Sequence, residues 1–166
     1  MSLRDAFLPD FDHEMTVTRH VLERLPEAAF DWKPHEKSYA LGGLATHLAQ
    51  VPRWGTSILR HEFHDLATSR GAKALEQTSL AAVLETFDRH VADVRRSLCE
   101  MSDAELMAPW ALKRGTHLVM SLPKVAALRR FLLHHMIHHR GQLTVYLRMH
   151  GVPLPPIYGP TADEGM

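Results

Sequence analysis

A chain of 166 residues, 45% hydrophobic and 23% charged, falls in the size range of one domain and can bury a core without a covalent staple. Its 19 basic and 19 acidic side chains cancel without forming one-sign blocks, which argues against a nucleic-acid binder, because such proteins carry a basic footprint. Asp5, Asp10, Asp12 and Glu14 are incompatible with a secretory or transit leader, and no apolar run approaches the ~18 residues of a membrane span, so a cytoplasmic protein with no membrane partner is expected.

Four segments carry apolar residues at three- and four-residue spacing, the pattern of helices with one buried face. The first, about 3–25, shows Phe7, Phe11, Met15, Thr18, Leu22 and Leu25, with Pro9 in its first turn or at a kink. A loop with Pro26, Trp32, Lys33 and Pro34 follows. The second helix, about 41–64, shows Leu44, His47, Val51, Trp54 and Ile58, and a loop from Thr68 to Gln77 with Gly71 comes after it. The third, about 79–101, follows the N-cap candidate Ser79 and shows Leu80, Leu84, Phe87, Val91, Val94 and Leu98. Ser102 and Glu105 form a capping-box pair for a short helix, and Trp110 to Met120 around Gly115 reads as a hairpin-like excursion. The fourth helix, about 122–150, has Pro123 in its first turn and Gly151 as its C′ residue. The proline-rich tail 151–166 cannot be helical. With no repeat and no series of strands, the expectation is an all-α fold, an antiparallel four-helix bundle forming one domain over 1–166.

Cys99 is the only cysteine, which excludes an internal disulfide and a cysteine-based zinc site, and its apolar-periodic surroundings predict that it packs. Thirteen histidines are the unusual count. On the fourth helix, His134 with His138 and His135 with His139 are each spaced to place two imidazoles over one face. The pairs point about 100° apart, so one of them lines a given seam. The row Leu128, Leu132, His135, His139, Gln142, Tyr146, Met149 steps by three and four as a seam does, but the row Ala127, Phe131, His134, His138, Gly141, Val145 is also apolar, and periodicity leaves both open. His47 interrupts the stripe of the second helix. Alone it reads as a boundary histidine bonded to a carbonyl or water, whereas opposite a histidine pair on another helix it reads as a third ligand.

Leu44-Ala45-Thr46-His47-Leu48-Ala49-Gln50, preceded by Trp32-Lys33-Pro34 and Ser38-Tyr39, and then His135-Met136-Ile137-His138-His139-Arg140-Gly141-Gln142, resemble the DinB/YfiT family of small metal-binding bundles in order and spacing over nearly the whole chain. The Gly151-Val152-Pro153 turn agrees with the resemblance. It implies that His47, His135 and His139 bind the metal, and it chooses between the two pairs. It also implies thiol chemistry, since related bundles include thiol S-transferases and a thiol-dependent isomerase.

Three imidazoles leave a divalent ion its full charge and an open position, the arrangement of a catalytic site. Zinc and nickel suit such donors and iron is a further candidate. The expected function is a metal-dependent transferase or hydrolase that activates a small thiol or water for transfer to a small molecule. The alternative is a non-catalytic metal-binding stress-response module. Glu14 is the nearest candidate for a general base, Arg140 is expected to pair with a carboxylate on a neighbouring helix, and Gln142 and Tyr146 to face the metal's ligand. Trp32, Trp54 and Trp110 read as packing anchors, and a homodimer is expected.

Overall fold

In the computed structural model, which describes residues 2–68 and 77–165, the first helix, α1 (Leu3–Leu22), opens at a capping box in which the Ser2 hydroxyl accepts from the Asp5 N–H and the Asp5 carboxylate accepts from the Ser2 N–H. The predicted row from Phe7 to Leu25 is buried throughout, although the helix stops at Leu22 and Leu25 lies in the chain leading to a 3-10 turn, Glu27–Ala29. Pro9 sits inside the helix. α2 (Leu41–Arg60) buries Leu44, Val51 and Ile58 as their spacing predicts and leaves His47 and Trp54 half-buried at the margin of that stripe. α3 (Leu80–Glu100) starts at Ser79, whose hydroxyl accepts from the Ala82 N–H, and α4 (Asp103–Met107) carries the predicted Ser102–Glu105 capping box. Cys99 does not pack: Ser97 and Leu98 take the buried positions of that turn and the thiol is exposed. The predicted loop around Gly71 lies for the most part outside the described residues.

The fold is mostly helical, but it is not all-α. Three strands, β1 (Phe63–Asp65), β2 (Pro109–Arg114) and β3 (His117–Pro123), form a sheet in the order β1-β2-β3, with β1 parallel and β3 antiparallel to β2. The hairpin turns at Gly115, whose φ of 60° suits a residue without Cβ. The second helix was expected to reach 64, yet it ends at Arg60 because His61 is extended and leads into β1. One Asp65 carboxylate oxygen accepts from the Ala67 and Gly115 N–H groups at 2.8 and 2.9 Å, fastening β1 to the hairpin. Trp110 and Leu112 turn the inner face of β2 into the core.

The last helical stretch is segmented. Pro123 ends β3 instead of lying in a first helical turn, and α5 (Lys124–Leu128), a π-helical turn (Arg129–His134) and α6 (His135–Met149) follow in succession. A π turn takes in one residue more than an α turn. Its effect is visible in the burial: Leu128 and Leu132 are buried as predicted, but downstream the buried row is Leu133, Met136, Arg140, Leu143 and Leu147, each one position beyond the predicted seam. His135 and His139 are displaced to the half-buried margin. α6 ends in a Schellman motif at Gly151 (φ 69°), where Val152 N–H reaches the Leu147 carbonyl and Gly151 N–H that of Arg148, at 3.1 and 3.0 Å. α2 packs against α3 and α6, and α1 packs against the same two helices.

Candidate metal centre

His47 is carried by α2 on the flank facing α6, and it meets His135 and His139 across that contact. The Nε2 atoms of His47 and His135 stand 3.1 Å apart, and one nitrogen from each of the three rings lies within 4.8 Å of the others. The ring centroids are 4.4 Å apart for His47 and His139, 5.0 Å for His47 and His135 and 4.7 Å for His135 and His139. His134 and His138, the rival pair, are exposed.

The surroundings hold the rings neutral and aimed. His47 is pushed down to about 4, first by burial and then by the neighbouring His139 and His135. Burial lowers His135 and His139 as well, offset in part by hydrogen bonds to the Phe131 backbone and to Gln142 respectively. Neutral imidazole is the form that donates a lone pair. Gln142 Oε1 lies 2.7 Å from His139 Nδ1, so that nitrogen carries the proton and Nε2 is free. Gln142 therefore orients a histidine, where a direct contact with a ligand of the metal was expected. Tyr146 packs edge-on against Trp32 at 5.6 Å.

This donor set fits a divalent ion. Two nitrogens each about 2.1 Å from one ion stand roughly 3 to 3.4 Å apart, and the observed 3.1 Å between His47 and His135 needs no movement of either helix. With all three rings neutral, the donors suit zinc, nickel or iron and do not choose among them.

Arg140 turns away from the histidines and is fully buried against α1. Its Nη1 donates to the Glu14 carbonyl and Thr18 Oγ1, and its Nη2 lies 2.7 Å from Glu14 Oε2 and donates to the Tyr158 hydroxyl at 2.6 Å. Tyr158 in turn donates to Glu14 Oε1 at 2.7 Å. The expected carboxylate partner of Arg140 is thus Glu14, the same residue considered as a general base. Glu14 is the buried counter-ion of Arg140, which turns away from the histidines, and its carboxylate is held by that guanidinium and by the Tyr158 hydroxyl. Of the tryptophans, Trp110 is fully buried, while Trp32 and Trp54 are half-buried beside His150 and His64.

Two neighbours named in the sequence, Tyr39 in the family pattern and Phe131 in the rival apolar row, carry no role there. Tyr39 lies parallel to the His47 ring, and Phe131 offers its backbone to His135 from inside the π turn. Both act through geometry that residue spacing does not encode. A separate cleft of about 640 Å³, lined by Arg53, Ser57, Arg60 and His61 among others, lies along the C-terminal half of α2 and includes none of the three histidines.

The chain is similar to an uncharacterized protein, YrdA, of Bacillus subtilis (strain 168), 23% identical over 163 residues that cover 96% of this chain and 90% of that one. Its fold resembles a DinB-like protein from Bacillus cereus ATCC 10987, with a TM-score of 0.71 at 22% identity over 93% of this chain and 97% of the other. It also resembles a DinB-like protein, YjoA, from Bacillus subtilis, with a TM-score of 0.68 at 19% identity over 90% and 95% of the two chains. The sequence pattern of the DinB family matches residues 1–165, and the chain belongs to the DinB family.

Proposed function

We propose that this chain is a metal-dependent enzyme in which His47, His135 and His139 hold one divalent ion, zinc or nickel in first place. In this reading the long helices act as a four-helix bundle and the protein activates a small thiol, or water, for transfer to a small molecule. The observation that supports it is the convergence of three neutral imidazoles from two helices, with His139 Nδ1–H donating to Gln142 Oε1 so that Nε2 is left as the donor atom. Bound there, the ion supplies Lewis acidity and lowers the pKa of a thiol or water that joins it.

The chain's own residues do the rest. Gln142 fixes the tautomer of His139, the Phe131 backbone holds His135, and Arg140, next in sequence to His139, ties this part of α6 to α1 through Glu14. Cys99 is exposed on α3, outside the histidine cluster, so the thiol of this proposal is a cosubstrate.

The test is elemental analysis of the purified protein, followed by an assay of a low-molecular-weight thiol with an electrophile. One ion per chain and thiol consumption that His139→Ala abolishes is the expected result. Metal without turnover, in conjugation or hydrolysis, contradicts the enzyme reading and leaves a metal-binding module.

A further inference from the structure

The three histidines are not restrained alike. His139 is held by Gln142 and His135 by the Phe131 backbone. His47 has neither kind of support: its Nε2 faces His135, and among the described residues its Nδ1 meets no hydrogen-bond partner. What it does have is Tyr39, whose ring lies parallel to the imidazole within 12°, centroid to centroid 5.7 Å, in a displaced stack. The same ring stands edge-on to His139 at 6.4 Å and 80°.

The placement of Tyr39 is built into the chain. It precedes Ala40, the N-cap of α2, and the loop that carries it is tied back by Leu41 N–H to the Trp32 carbonyl at 2.8 Å and Gly42 N–H to the Phe30 carbonyl at 2.9 Å. A Cβ on Gly42 would meet the Phe30 ring at 3.0 Å, so glycine lets the loop lie this close to α2. Yet Tyr39 contributes little to the core, since 52% of it is exposed, and among the described residues its hydroxyl makes no hydrogen bond. A large aromatic side chain fixed against two of three candidate ligands, and otherwise turned to solvent, has its role at the centre.

We propose that Tyr39 is a positioning residue for the metal, its ring doing for His47 by stacking what Gln142 does for His139 by hydrogen bonding. The inference rests on the metal-binding reading above. It assigns the work to the ring and none to the hydroxyl, so phenylalanine serves as well as tyrosine. Partners that orient a metal-binding histidine are commonly worth tenfold or more in affinity.

The test uses Zn(II) alone, titrated against a chelator of known affinity into wild type, Tyr39→Phe and Tyr39→Ala, with the melting temperature of each metal-free protein measured alongside. Tyr39→Phe is expected to bind within about twofold of wild type and Tyr39→Ala about tenfold or more weakly, with metal-free melting temperatures unchanged. Equal affinity in Tyr39→Ala and wild type overturns the proposal. So does an equal loss in Tyr39→Phe, which would put the hydroxyl in charge, or a loss matched by lower metal-free melting, which would make Tyr39 a fold residue. Absence of Zn(II) from wild type would bring down the metal reading itself, a different outcome from any of these.

Discussion

At the scale of single residues, the proposed centre depends on what stands behind each candidate ligand. Gln142 accepts from His139 and makes no other side-chain hydrogen bond among the described residues, so Gln142→Ala is expected to weaken metal binding about tenfold while leaving the metal-free melting temperature in place. A chelator competition reads the first and calorimetry the second. The buried trio behind α6 gives the opposite signature. Arg140→Met strands the Glu14 carboxylate in a site 8% exposed, and removing one partner of a buried pair costs about 3 to 5 kcal/mol. Tyr158→Phe removes a donor and an acceptor at the rim of the same pair and should cost about 1 to 2 kcal/mol. Urea denaturation of the metal-free proteins measures both. A larger loss in Tyr158→Phe than in Arg140→Met would mean that the tail's phenol, and not the α6–α1 ion pair, is the stronger of the two ties to Glu14.

At the scale of elements, the helices were legible wherever burial follows one uninterrupted period. Every residue of the predicted α1 row is buried, and the caps at Ser79 and Ser102 and the stop at Gly151 sit where their chemistry placed them. β1 escaped because three residues are too few to show a period and they follow a helical pattern without a break. The seam of the last helix was read one residue out because the π turn is a property of backbone hydrogen bonding that leaves no mark in the spacing. The choice of His135 with His139 over His134 with His138 rested on resemblance because the row through His134 and His138 is also apolar. Glycine packing was equally silent: a Cβ at Gly55 would lie 2.9 Å from Leu132 and 3.0 and 3.1 Å from the two methyls of Val94. Leu132 can swing aside, but Val94 is stiff at χ1. Gly55→Ala is therefore expected to destabilise by about 1 to 2 kcal/mol, the cost of overpacking a tight contact, and a melting temperature equal to wild type would show that α2 and α3 have slack there.

At the scale of the whole molecule, the core that joins α1, α2, α3 and α6 contains none of the three histidines, so removal of metal should leave the helical circular-dichroism signal and lower the melting temperature. Acid should act on the metal-free protein through the same rings. His47 is lowered from 6.5 to about 4, and His135 and His139 are lowered too, so between the two values the unfolded chain binds more protons than the folded one. Their contribution to stability is thus present above about 6.5 and lost as pH falls toward 4. Metal affinity should be near flat while the three rings are neutral and should fall as pH drops through their lowered pKa values, toward three powers of ten per pH unit, the limit for three ligands titrating together. The most direct measurement of the central claim is the metal content of wild type and of five single alanine variants, purified and loaded identically. One ion per chain is expected in wild type, His134→Ala and His138→Ala, and loss of most of it in His47→Ala, His135→Ala and His139→Ala; full occupancy in the last three, or loss in His134→Ala and His138→Ala instead, would contradict a centre built on His47, His135 and His139.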